Sequence, residues 1–136
     1  MATLLAHITV RPGAEREFEE LAATLYEATH SRETGVLRYE YWRGTDPRTY
    51  YTLLSFEDHR TWVRHQASDH HESATPALGG VLENLRLEWL DPLPDASPLP
   101  PTRMQTAPDD ADDLVRRYTD VFAAVIADWW STAPAD

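Results

Sequence analysis

This chain of 136 residues has no cysteine. A disulfide, a thiolate nucleophile and a cysteine-based zinc centre are therefore excluded. It has no lysine either, because all 12 basic residues are arginine. Schiff-base chemistry at a lysine side chain goes with it. Of the five glycines only Gly79 and Gly80 are adjacent. No glycine-rich phosphate cradle can be built from them, which speaks against nucleotide cofactors. Ser55, Ser68 and Ser73 lack a Gly-x-Ser-x-Gly elbow, so serine hydrolysis has no motif here. No run approaches the ~18 apolar residues of a membrane span. The first residues lack a basic stretch leading into a long apolar one, so no signal peptide is expected. The net charge of −11 disfavours nucleic acid and anionic membranes as partners. These absences leave a soluble, acidic, cytoplasmic protein as the expectation. With 42% hydrophobic residues, it can bury the core of one ordinary domain.

Hydrophobic periodicity divides the chain. Thr3 to Val10 is apolar and β-branched, which reads as a strand stopped by Arg11-Pro12-Gly13. From Ala14 to about His30, the residues Phe18, Leu21, Ala22, Leu25 and Ala28 recur at helical spacing. Gly35 restarts an extended segment, Val36 to Arg43. Gly44-Thr45-Asp46-Pro47 turns it into a third strand, Thr49 to Phe56. A short helix is expected over 58–66, and a second over 69–79, interrupted at Pro76. Val81 to Leu90 alternates Leu85, Leu87 and Trp89 against Arg86, Glu88 and Leu90, as a last strand should. The order is βαββαβ. It predicts an α+β, ferredoxin-like fold with one four-stranded antiparallel sheet. Helices cover only one face of such a sheet. The other face also carries large residues, so a second copy of the chain is expected to cover it.

After residue 92 the composition changes. Residues 93–108 carry Pro94, Pro98, Pro100, Pro101 and Pro108, and read as an extended linker. Residues 109–131 then predict a C-terminal amphipathic helix. Asp109, Asp110, Asp112 and Asp113 suit its N-terminal dipole. Leu114, Tyr118, Val121, Phe122, Val125, Ile126 and Trp129 form its apolar stripe. Such a helix serves either as a clasp on the dimer or as a lid over a pocket.

His59, His65, His70 and His71 lie close in sequence. Ligands on one helix face need i, i+4 spacing, which neither His59–His65 nor His65–His70 has, so no metal site is expected. What remains is a pocket lined by Tyr, Trp and His, suited to a flat apolar ligand oriented by a few polar groups.

Three motifs sharpen that reading: Arg11-Pro12-Gly13 after the first strand, Glu33-x-Gly35 before Leu37-x-Tyr39, and His65-x-x-Ser68-x-His70. Over residues 1–92 they resemble the antibiotic biosynthesis monooxygenase family, whose pattern includes His-Leu-x-Ser-Pro-His. The resemblance implies a dimeric α+β barrel and oxygen chemistry on aromatic substrates without metal or flavin. Two departures stand out. The family's aromatic-Glu-x-Trp run is replaced here by Leu53-Leu54-Ser55-Phe56, and the segment from Asp91 onward has no counterpart in short members. The haem-degrading branch of the same fold fits poorly. Its first-strand Asn position reads His7, its Trp position falls on His65, and its ligand position falls near Thr75-Pro76. Only His70 or His71 remains as a substitute haem ligand.

In cofactor-free members of the family, a phenolic anthrone or hydroquinone loses a proton and its anion reduces dioxygen. That implies a base, a donor to the developing oxyanion and a dry pocket. Histidine is the side chain suited to proton transfer near neutral pH. His65 and His70 are the first candidates for that role and His7 the alternative. Tyr51 and Arg86 are candidate hydrogen-bond donors, with Trp62 and Tyr39 as candidate aromatic walls. Dioxygen is the expected co-substrate, and no resident cofactor is expected. Which strand parity faces the pocket is left open at this stage. An aromatic polyketide cyclase on the same fold and a non-enzymatic small-molecule binding module are the alternatives.

Overall fold

The computed structural model describes residues 1–130. Four strands form one sheet: β1 (Ala2–Val10), β2 (Val36–Arg43), β3 (Thr49–Phe56) and β4 (Leu82–Leu90). Their order is β2-β3-β1-β4. The three neighbouring pairs are all antiparallel. Helices α1 (Glu15–Arg32), α2 (His59–Gln66) and α3 (Asp69–Val81) complete the expected βαββαβ chain, and α4 (Asp113–Val121) follows. This is the ferredoxin-like α+β fold. Among the described residues, no helix is long and apolar enough to cross a membrane.

Local chemistry sets the boundaries. Gly13 takes a positive φ of 83° in the turn that ends β1, a conformation glycine adopts at little cost. Glu15 and Glu17 sit in the first turn of α1, with His30 and Arg32 in its last, both matching the helix dipole. Asp58 caps α2 by accepting the Thr61 amide at 2.7 Å. Ser68 caps α3 and ties it back to α2, donating from Oγ to the His65 carbonyl at 2.7 Å. Pro76 does not interrupt α3, contrary to expectation. It is exposed, so its missing amide leaves a gap on the solvent side of a helix that otherwise continues.

Strand alternation sorts the sheet into two faces. Leu4, Ala6, Ile8, Thr52, Leu54 and Tyr39 point toward the helices and are buried. Trp62, Phe18, Phe56 and Leu4 are almost wholly enclosed there. Each contributes ~1.5–3 kcal/mol by its burial, and this is the core of the molecule.

The C-terminal segment departs from expectation. The helix predicted over 109–131 is formed only from Asp113 to Val121, and residue 131 lies outside the described residues. Where the helix stops, backbone groups are captured by other segments: the Ala124 amide lies on Met104 Sδ at 3.1 Å, and one carbonyl is taken by side chains. In a continuing helix Phe122 O would accept the amide four residues on. Here it accepts from His59 Nε2 at 3.1 Å and Trp62 Nε1 at 3.3 Å. Beyond that point the apolar stripe is not buried: Val125 is 68% and Trp129 82% exposed. Upstream of α4, the proline-rich segment runs back across the start of the sheet. Thr102 Oγ1 donates to Leu90 O at 2.6 Å and accepts the Thr3 amide at 3.3 Å. Gln105 Oε1 accepts the Arg60 amide at 2.9 Å. Residues 91–122 thus form a strap from the end of β4 over α2.

Candidate active site

A cavity of about 360 Å³ lies between the sheet and the helices. That is within the usual size range of small-molecule sites. Ala6, Ile8 and Leu54 form its floor, and Tyr39, Tyr41 and Trp62 its aromatic side. His65 and His71 enter from α2 and α3, and Tyr118 and Phe122 enter from the strap.

His65 ends α2 with its ring among Tyr39, Phe56 and His71, at centroid distances of 5.0, 5.2 and 5.0 Å. It is 1% exposed. Its Nδ1 lies 2.8 Å from Glu33 Oε2, and His70 Nε2 lies 2.6 Å from the same oxygen. An ionised carboxylate only accepts, so both ring nitrogens carry the donated proton. Burial would raise the Glu33 pKa, but the two histidine bonds outweigh it and hold the carboxyl below its ordinary range. Nδ1 is thus engaged by Glu33, which leaves Nε2 as the ring's other nitrogen. That atom is buried and has no hydrogen-bond partner among the described residues.

Glu33 reaches this position because α1 ends there. It is the C-cap residue, with extended backbone and its amide on Thr29 O at 3.1 Å. Gly35 follows at φ 79°, and a Cβ on it would come within 2.7 Å of the Glu57 side chain. The Glu33-x-Gly35 motif therefore turns the chain into β2 while leaving the carboxylate facing α2 and α3.

The surrounding groups are held neutral. Burial pushes the His71 pKa down to about 3, and repulsion from His65 and His70 adds to it. The Tyr39 and Tyr41 hydroxyls lie 2.8 Å apart. Burial raises both pKa values, that of Tyr41 to about 12. Near neutral pH these phenols remain protonated donors.

The structure separates the residues picked from sequence. His65, Tyr39 and Trp62 line the cavity, and His70 stands behind His65 on Glu33. His7, Tyr51 and Arg86 are on the opposite face of the sheet. They are register partners across β1, β3 and β4, while Ala6 and Ile8 take the cavity face. His7 instead bonds Glu88 at 2.8 Å and packs edge-on against Tyr51. A one-residue change of parity accounts for the difference. Sequence reasoning missed Glu33 as a site residue, along with Tyr41, Glu72 and Tyr118, and gave His71 only as a substitute haem ligand. Glu33 alone had a signal, since it opens one of the three motifs.

Spacing along one helix offers no metal site, whereas the fold gathers Glu33, His65 and His70 from three segments, with potential ligand atoms all within 4.8 Å of one another. The same Glu33 oxygen already accepts from both rings, and only His65 of the three lines the cavity. A metal here would displace both hydrogen bonds and lie on the Glu33 side of His65 rather than in the cavity.

Residues 1–77 match the model of a single family, described as antibiotic biosynthesis monooxygenase. The chain belongs to this family. Among solved structures, PA3566 from Pseudomonas aeruginosa is 26% identical, with a TM-score of 0.63 over 68% of this chain and 93% of that one. Rv0793 from Mycobacterium tuberculosis is 21% identical, with a TM-score of 0.64 over 71% and 98%. A protein named antibiotic biosynthesis monooxygenase is also 21% identical, with a TM-score of 0.64 over 69% and 100%. No curated protein matches the chain. The part matching the antibiotic biosynthesis monooxygenase family contains Glu33, His65, His70 and His71. Tyr118 and Phe122 lie beyond it, so the cavity is built partly from family structure and partly from the strap.

Proposed function

We propose that the protein is a cofactor-independent monooxygenase that oxidises a phenolic polycyclic aromatic of the anthrone or hydroquinone type to a quinone, in secondary-metabolite biosynthesis. The observation that carries this reading is His65, a residue lining an aromatic-walled cavity, with Nδ1 held by Glu33 and Nε2 buried without a hydrogen-bond partner among the described residues. In this reading His65 is the catalytic base and Glu33 a positioning residue. Glu33 fixes the tautomer and stabilises the imidazolium that forms. His70 shares the Glu33 charge, and Tyr39 and Tyr41 are donors to the oxyanion. For an anthrone, His65 removes a proton from the ring CH₂ to give the enolate. The enolate carbon reduces dioxygen and binds it as a peroxide. Loss of water, with cleavage of the O–O bond, leaves one oxygen atom on carbon as the quinone carbonyl. The substrate supplies the electrons, so no resident cofactor enters the scheme.

The open sheet face supports a homodimer. Trp42 is 58% exposed there, beside the half-buried Leu5, Tyr51 and Leu53. A second copy of the sheet would cover them. Sedimentation of the full chain at micromolar concentration should give twice the 15.5 kDa monomer mass.

Full-chain protein freed of metal by chelator tests the activity. Incubated with an anthrone, it should form quinone faster than buffer alone under air and not without oxygen. No acceleration in either atmosphere would favour the cyclase or binding-module alternatives. Activity only after metal is restored would overturn the cofactor-free scheme.

A further inference from the structure

The strap places a phenol at the cavity. Tyr118 projects from α4 and packs edge-on against Phe122 at 5.2 Å between centroids. Its hydroxyl donates to Glu72 Oε1 at 2.5 Å. Both residues line the cavity. Glu72 sits one residue from His71 in the first turn of α3, so the carboxylate and the histidine cluster are placed by the same turn. The bond raises the Tyr118 pKa, because ionisation would set a phenolate against a carboxylate. A ring hydroxyl on a carboxylate is also how a hydroxylated aromatic ligand would be held. The chain thus supplies, from a segment outside the family match, a group with the chemistry of the ligand proposed above.

Tyr118 packs against the core with Val115 and Phe122, but the helix that carries it is short. α4 has nine residues, shorter than a helix that is stable alone. Val121, on its last turn, is 64% exposed. Beyond the helix itself, the polar attachment of this end is Phe122 O on His59 and Trp62, a backbone contact that does not involve the Tyr118 ring. The strap's anchor, one helical turn away, therefore does not depend on the bond between Tyr118 and Glu72.

We propose that Glu72 is a hydroxyl-binding subsite of the cavity, that its ligands are aromatic phenols with a second, distal hydroxyl, and that Tyr118 is the internal competitor for it. This rests on the aromatic-pocket reading and adds a specificity-determining pair to it. Exchange of one phenol for another on Glu72 gains little, so the wild-type protein rewards the second hydroxyl only weakly. Removing the Tyr118 hydroxyl exposes the preference in full. A hydrogen bond to a charged group corresponds to an affinity gain on the order of ten-fold or more.

Calorimetric titration of the full chain with 1-naphthol and 1,5-naphthalenediol tests this, using wild type, Tyr118→Phe and the double variant Tyr118→Phe, Glu72→Met. In Tyr118→Phe the diol should tighten by about ten-fold relative to wild type, with 1-naphthol unchanged. In the double variant that gain should vanish while 1-naphthol still binds. A structural clasp predicts the opposite, with Tyr118→Phe weakening both ligands or leaving their ratio unchanged, and either result overturns the proposal. If neither naphthol binds any form, the aromatic-pocket reading itself fails. Far-UV circular dichroism of each variant confirms that it is folded, and Tyr118→Phe alone carries the decisive comparison.

Discussion

The domain body and the C-terminal strap are held by different forces. In the body, Phe18, Phe56, Trp62 and Val63 are enclosed almost completely, and His65 lies inside that packing. The strap is attached by hydrogen bonds, Thr102 on Leu90, Gln105 on Arg60, and Phe122 on His59 and Trp62, and by Val115, Tyr118 and Phe122 packed against the core. Its large apolar residues Val121, Val125 and Trp129 remain exposed. The body therefore holds most of the buried core and His65, whereas the strap contributes side chains to the cavity from a segment with less enclosed surface.

Substitutions should separate the two regions, and the largest effect belongs to the body. His65→Ala should slow anthrone oxidation by about 10²–10⁴-fold, the usual value of a positioned base. Initial rates under air measure it, and a variant within a few-fold of wild type would remove His65 from the chemistry. Gly35→Ala forces a side chain into positive φ and against Glu57. It should destabilise the fold by about 1–3 kcal/mol, read as a lower urea midpoint.

Acid comes next in size, and its sign follows from the histidines. His71 is held well below its ordinary value of 6.5, at about 3. Between those values the unfolded chain binds the proton and the folded one does not, so stability falls as pH drops below 6.5. One such group contributes at most ~1.4 kcal/mol per pH unit. His59, also pushed down by burial, adds a loss of the same sign from the strap clasp. His71→Asn should flatten the dependence between pH 6.5 and 5 without abolishing it. An unchanged slope in urea unfolding would show that the ring is not the group that titrates.

The smallest global effect is expected in the strap. Asp112 caps α4 by accepting the Val115 amide at 2.8 Å. Asp112→Ala should cost that helix ~0.5–2 kcal/mol. Because α4 packs on the body through few residues, Val115, Tyr118 and the cap residue Phe122, the loss should appear as faster amide exchange within 113–121 and barely move the urea midpoint. A midpoint shift as large as that of Gly35→Ala would show that strap and body unfold together.

Much of the body was legible because its signals are local. The spacing of Phe18, Ala22, Leu25 and Ala28 on α1 and the alternation along β4 each report one element's exposure to one core. The stripe from Leu114 to Trp129 misled for the same reason. Periodicity records which residues would share a helix face, but not whether a carbonyl at Phe122 is taken by two distant side chains. Parity was equally out of reach. His7 and Ala6 are neighbours in β1, and only the packing of α1 to α3 decides which of them faces the cavity.

By itself, the sequence determined the element order, the sheet, the histidine pair at the α2–α3 junction and the exclusion of cysteine and lysine chemistry. These depend on residue type and on contacts a few positions apart. Tertiary structure alone decided that Glu33 meets His65 and His70 across separations of 32 and 37 residues, and that Tyr118 reaches Glu72 across 46. Those encounters follow from loop closure and packing over the whole fold, which no short-range pattern encodes.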